Sequence, residues 1–156
     1  MWGTSFVLNI ILWPYNYSMN IVGAGVIIED VNGKILVTHR KPFVPEGGEW
    51  GIPGGSVVGN ETPIETAKIK TKQEVRITVI DDKLTFLDKF NYDAEENNVT
   101  FYVWIYRLNT LEPEVMINTD GHDGYKWEQV NKLYQQKDLM VGLYPILEKY
   151  LQLKSQ

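Results

Sequence analysis

The sequence predicts an α/β/α layered sandwich, a mixed β-sheet held between helices. Three observations carry that expectation. β-Branched and aromatic runs recur through the chain, one helix has an explicit start at Thr62-Pro63, and an apolar stripe at helical spacing lies near the C-terminus. With 156 residues the chain suits one domain, and it can bury roughly 70% of its unfolded surface without disulfides or metal staples.

The elements follow in order. Runs at 21–29 and 34–39 are joined by Val31-Asn32-Gly33, and Asn-Gly is a strong hairpin signal because both positions tolerate positive φ. A Gly- and Pro-rich loop, PFVPEGGEWGIPGGSVVGN, spans 42–60, a length that is usually functional in a small domain. The helix then starts with Thr62 as N-cap, Pro63 at its first position and Glu65 completing a T-x-x-E capping box. Strands are expected at 77–80, 84–90 and 99–108, the last apolar on both faces as a covered strand should be. A further strand near Tyr125–Gln129 leads to a helix over 143–154, where Leu143, Ile146, Leu147, Tyr150 and Leu151 share one face. No linker or repeat divides residues 19–156, which read as one domain.

Composition narrows the chemistry. There is no cysteine, which removes disulfides, thiol nucleophiles and zinc knuckles. Two histidines, His39 and His122, are too few for a multi-histidine metal site. Fifteen basic against twenty acidic residues give a net charge of −5, which argues against a nucleic-acid or lipid-binding surface. Residues 1–18 contain the apolar run FVLNIILW, too short to span a bilayer of about 30 Å. No basic residue precedes Lys34, so a signal peptide is not indicated and a cytoplasmic protein is expected. Two readings of that segment stay open: an extra strand or flap, which would also suit sealing a homodimer, and a stretch upstream of a natural start at Met19.

The loop and helix together form a motif. From Gly55 the chain reads G-x5-E to Glu61, then seven residues, then IKTKQEVRI over 69–77. This resembles the Nudix box, G-x5-E-x7-R-E-U-x-E-E-x-G-U, with U a bulky aliphatic residue. GAGVIIEDVNGKILVTHR resembles the family's opening hairpin, EWGIPGGSV its approach to the box, and HDGYKWEQVNKL its closing segment. About 135 residues are covered. The resemblance implies the Nudix α/β/α sandwich, and hydrolysis of a nucleoside diphosphate linked to another moiety with Mg²⁺ or Mn²⁺.

The chemistry of such a box follows from spacing. Positions 70, 73 and 74 stand at i, i+3 and i+4 and share a helix face, where carboxylates would hold a hard divalent cation. Bound metal neutralises pyrophosphate oxygens and activates water. The glycines of the box loop, Gly54, Gly55 and Gly59, let backbone approach closely, and the Gly54 carbonyl is a further candidate ligand.

Here the box departs from the pattern where the metal should sit. The three carboxylate positions hold Lys70, Gln73 and Glu74, the arginine position holds Ile69, and the closing glycine is Arg76. Over 62–75 three lysines face two glutamates. Lys70 beside a dication is repulsive by several kcal/mol, about 4 kcal/mol per unit-charge pair at 4 Å and an effective dielectric near 20.

The candidate residues each carry an ordinary alternative. Glu74 reads equally as catalytic metal ligand or solvated glutamate, Gln73 as neutral oxygen ligand or surface residue, and Glu61 as base or loop brace. Lys70 reads as a phosphate contact or a solvated lysine. Arg40, with His39 and Lys41 at the end of the second strand, is a candidate diphosphate contact. Trp50 is the leading candidate to stack a base, and Phe43, Tyr92 and Trp127 are others. Glu46, Glu49, Asp93, Glu95, Glu96, Asp120 and Asp123 are loop acids that would restore metal chemistry if they converge on Glu74. Two functions follow: a metal-dependent hydrolase of a nucleotide-type substrate, and a catalytically impaired domain that binds a nucleotide or phosphorylated metabolite, or serves as a protein-interaction module.

Overall fold

The computed structural model of the protein describes residues 18–156. The expectations for the segment before Met19 fall outside these residues, Ser18 apart. The elements in chain order are β1 (Asn20–Glu29), β2 (Lys34–Arg40), β3 (Trp50–Gly51), β4 (Gly54–Ser56), α1 (Pro63–Val75), β5 (Leu84–Ala94), β6 (Asn97–Arg107), β7 (His122–Gln129), α2 (Val130–Tyr134) and α3 (Leu143–Lys154).

Strand alternation builds the two cores. Ile27 on β1 packs with Ile35, Val37 and Val103 beneath Leu143, Ile146 and Leu147 of α3. Its neighbours Val26 and Ile28 point the other way, joining Leu36 beneath Ala67 and Val75 of α1. Val26, Ile27 and Ile28 are wholly buried, and burying each stabilises by about 1.5–3 kcal/mol. The result is the α/β/α sandwich read from the sequence.

The sheet runs β3-β2-β1-β6-β5, with β4 also paired to β1 and β7 to β2. β1 and β6 are parallel over ten residue pairs, and the other ladders are antiparallel. β1 and β2 share one register pair, Glu29 with Ile35, beside their hairpin. Buried Asp30 fixes that turn, its Oδ1 accepting from the amides of Asn32 and Lys34 at 2.9 Å each, and Gly33 supplies φ 82°. Further along, β4 takes the place of β2, pairing Gly54 with Gly25 and Ser56 with Gly23. The sheet therefore splits, and the split is where the cleft opens.

Helix α1 is specified at its ends more than by its face. The capping box is reciprocal: Thr62 accepts from the Glu65 amide and Glu65 from the Thr62 amide, at 3.4 and 2.8 Å. Such a cap contributes about 1 kcal/mol. At the other end Arg76 takes the left-handed conformation, φ 62° and ψ 23°, where the family pattern has glycine. Arg76→Gly is therefore expected to stabilise the fold by about 0.5–1 kcal/mol, read as a higher urea midpoint with an unchanged slope.

The structure corrects two details of the sequence reading. Residues 77–80 form no strand. Ile77 and Val79 alternate inward against the helix-side core without pairing to a neighbour, so a period of two arises with no ladder. The loop over 42–60 contains β3 and β4, too short to leave a pattern. The last helix matches its predicted span of 143–154. It is tied to the end of β1 by buried Glu29, which accepts from Tyr150 Oη and, at 2.8 Å, from Lys154 Nζ. Among the described residues no helix is long and apolar enough to cross a membrane.

Candidate active site

A cavity of about 420 Å³ lies at the split in the sheet. Its walls draw on all seven strands, with Glu74 contributed by α1. Four of the residues singled out from the sequence meet there: Arg40, Gly54, Gly55 and Glu74. Two of the loop acids, Glu46 and Glu95, line the same cavity, as does Tyr92.

Glu74 is positioned from both its ends. Its carbonyl accepts from the Asn118 amide at 2.7 Å, and its Oε2 accepts from the Gly54 amide at 3.0 Å. Burial pushes its carboxyl up to about 7, against the Gly54 hydrogen bond and the nearby cations Arg40 and Lys70. A carboxyl poised near neutrality in a cleft is chemically useful, because it changes charge when a cation arrives.

Arg40 is aimed by an irregularity in the sheet. His39 pairs with Gly124 but Arg40 with His122, so Asp123 is the extra residue in β7. Asp123 turns outward to accept from His39 Nδ1 at 2.5 Å. Arg40 turns inward, and its Nε donates to the Pro45 carbonyl at 2.7 Å, which holds the guanidinium against the Gly-rich loop. The same loop folds back over the cleft through Glu46, whose amide donates to Glu95 Oε1 at 3.3 Å. Burial and then the Glu49 charge raise the Glu46 carboxyl, with Arg40 opposing.

The other sequence candidates stand elsewhere. Glu61 accepts from Thr66 Oγ1 at 2.6 Å, the geometry of a brace between loop and helix. Lys70 lays its stem along the Gly55 backbone, where a Cβ on Gly55 would come within 2.9 Å of its Cε, and its side chain is not part of the cavity wall. Gln73 is exposed on the helix surface. Gly59 provides a left-handed turn, φ 58°, in the approach to the helix. Trp50 is packed between His39, ring centroids 4.8 Å apart, and Lys126 Nζ, 4.4 Å from its ring. Phe43 is 99% exposed on the loop, and Trp127 donates to the Pro113 carbonyl within the helix-side core.

Among the cavity residues to which the sequence reading assigned no role, Phe101 and His122 stand out. Phe101 lines the wall from β6. His122, paired across from Arg40, is buried with its Nδ1 lacking a hydrogen-bond partner, and burial followed by the Arg40 charge keeps its imidazole below the usual range. Both roles arise from strand register, which local sequence does not reveal.

A profile of the NUDIX domain matches residues 19–150. The chain belongs to the NUDIX family. Among relatives, the 8-oxo-dGTP diphosphatase of Proteus vulgaris is 30% identical over 79 residues, 51% of this chain and 68% of that protein. A nucleoside triphosphate pyrophosphatase/Nudix hydrolase fusion protein of Bifidobacterium longum is 42% identical over 53 residues, 32% of this chain and 11% of the much longer relative. The crystal structure of a MutT protein from Methanosarcina mazei Go1 superimposes with a TM-score of 0.77 at 19% identity, covering 89% of this chain and 98% of the other, so the fold is the same. As a NUDIX member this chain is related to hydrolases of nucleotide substrates.

The residues present decide how a divalent metal would fit. Among the described residues no group of three His, Asp or Glu is placed to hold a metal ion. A resident metal cage is therefore not what this cleft offers. Mg²⁺ is commonly held by one or two carboxylates together with substrate phosphates, a smaller demand for which this cleft has a carboxyl in its wall at Glu74.

Proposed function

We propose that this cleft hydrolyses a phosphoanhydride in a nucleoside-diphosphate-linked substrate, slowly, with Mg²⁺ or Mn²⁺ that enters together with the substrate. The observation that carries the reading is the charge of the cavity wall. Among the described residues Arg40 is its one Lys or Arg side chain, while Glu46, Glu74 and Glu95 are acidic. A diphosphate adds negative charge to an acidic wall, so its binding is favourable only if a cation accompanies it. Bound with the substrate, the metal supplies charge neutralisation at the phosphate oxygens and a more acidic water.

The chain's own residues have separable roles in this proposal. Glu74 would hold the cation, with the Gly54 carbonyl as a candidate second ligand. Arg40 orients a phosphate through the guanidinium donors left free by its bond to Pro45. Glu46 and Glu95 line the same cavity and are the loop acids available to take a proton from the attacking water. Turnover is low because Lys70 and Gln73 replace two of the carboxylates that the family pattern places beside Glu74.

The second reading, a nucleotide-binding domain without hydrolysis, is favoured by the Lys70 stem on Gly55, which sets a cation next to Glu74. A panel of nucleotide substrates incubated with Mg²⁺, Mn²⁺ or chelator separates the two. Slow, metal-dependent release of nucleoside monophosphate is expected. Nucleotide binding that persists in chelator with no product under any condition would instead establish the second reading.

A further inference from the structure

Glycine weakens a strand interior, yet β1 carries Gly23 and Gly25 on one face. At Gly23 the reason is the ring of Phe101, and at Gly25 the ring shares it with the Pro53 carbonyl, which a Cβ would approach to 2.8 Å. Phe101 stands directly across from Gly23 in the parallel ladder. A Cβ on Gly23 would come within 2.7 Å of Phe101 Cδ2, and one on Gly25 within 3.0 Å of Cε1. From β4, a Cβ on Gly54 would reach within 3.1 Å of Cζ. Three glycines on two strands, β1 and β4, thus form a floor without side chains, and the ring rests on it. A methyl group at position 23 would push the ring into the cavity.

The ring is half-buried, and what the glycines leave uncovered lines the cavity. Tyr92 joins it from β5, its own ring seated against Gly142, where a Cβ would meet the ring at 2.2 Å. Trp50 and Phe43, by contrast, contribute nothing to the wall. The cavity therefore has a polar part carrying Arg40 and a flat aromatic part carrying Phe101, within a volume that suits one small organic ligand.

We propose that Phe101, seated on the glycine floor of Gly23, Gly25 and Gly54, is the stacking platform for the aromatic base of the ligand. The cleft then selects nucleosides over phosphorylated sugars and inorganic polyphosphates. This rests on the phosphate-binding reading of the cleft and extends it to the other half of the ligand.

Calorimetric titration of the full chain with ADP and with inorganic pyrophosphate, both with Mn²⁺, tests it. Wild type should bind ADP more tightly than pyrophosphate. Phe101→Leu should weaken ADP about tenfold, the scale of one lost base–aromatic stack, and leave pyrophosphate within twofold. Phe101→Tyr keeps a ring on the floor and should retain ADP affinity, which guards against a folding defect. Equal affinity of wild type for the two ligands, or equal losses for both in Phe101→Leu, overturns the platform while leaving the phosphate site standing. Binding of neither ligand by wild type overturns both readings.

Discussion

The double variant Lys70→Glu/Gln73→Glu is expected to bind Mn²⁺ at least tenfold more tightly than wild type. Lys70 lies one turn before Glu74 on the same helix face and exposed Gln73 is its chain neighbour, so the substitutions bring two further carboxylates close to Glu74. Lys70 matters more of the two. Its charge already acts on Glu74, and reversing it replaces a repulsion on an incoming dication by an attraction. At an effective dielectric near 20 each such charge at 4 Å is worth several kcal/mol against a dication, so a gain of about 1.4 kcal/mol, one factor of ten, is a modest demand. Isothermal titration with Mn²⁺ alone measures it. Unchanged metal affinity would mean that the cleft is limited by something other than its missing carboxylates.

Glu74→Gln should make the fold more stable at pH 8 and leave it unchanged at pH 4. The sign follows from linkage. Folded Glu74 holds its proton up to about pH 7, whereas an unfolded glutamate releases it near 4.5. Between those values the folded state binds more protons than the unfolded one, so stability falls as pH rises, and above about 7 the penalty is complete. The upper bound is about 3 kcal/mol. Glutamine keeps an oxygen for the Gly54 amide and removes the buried charge. Urea denaturation at the two pH values checks this. A destabilised variant at pH 8 would show that the Gly54 hydrogen bond outweighs the desolvation of the carboxylate.

Where a residue's role depends on near neighbours in the chain, the sequence disclosed it. The α1 start at Thr62-Pro63 came from a local capping pattern, the hairpin from Asn32-Gly33, and α3 from its apolar spacing. At the end of the box the chain keeps a left-handed turn at Arg76, which the absence of glycine there did not disclose. Ile77 and Val79 misled because inward alternation does not require a strand partner. Long-range registers were opaque. The extra residue at Asp123 that aims Arg40, the β4 insertion that opens the cleft, and the pairing of Phe101 with Gly23 depend on segments far apart in sequence. The aromatic expected from its place beside the GIPGG turn, Trp50, is held by His39 and Lys126, and a ring on a different strand lines the cavity. Acids from separate loops do share the cavity with Glu74, but without forming a three-acid group among the described residues.

The central claim is that Glu74 carries a metal-dependent reaction in this cleft. It is tested most directly by measuring nucleoside monophosphate release at saturating Mn²⁺ for wild type and Glu74→Gln, with chelator controls. Removing the one carboxylate left among positions 70, 73 and 74 should lower the rate by a factor of at least one hundred, about 2.7 kcal/mol in the barrier, and chelator should silence wild type to the same level. Equal rates for the two proteins, or a wild-type rate that survives chelator, would contradict the account.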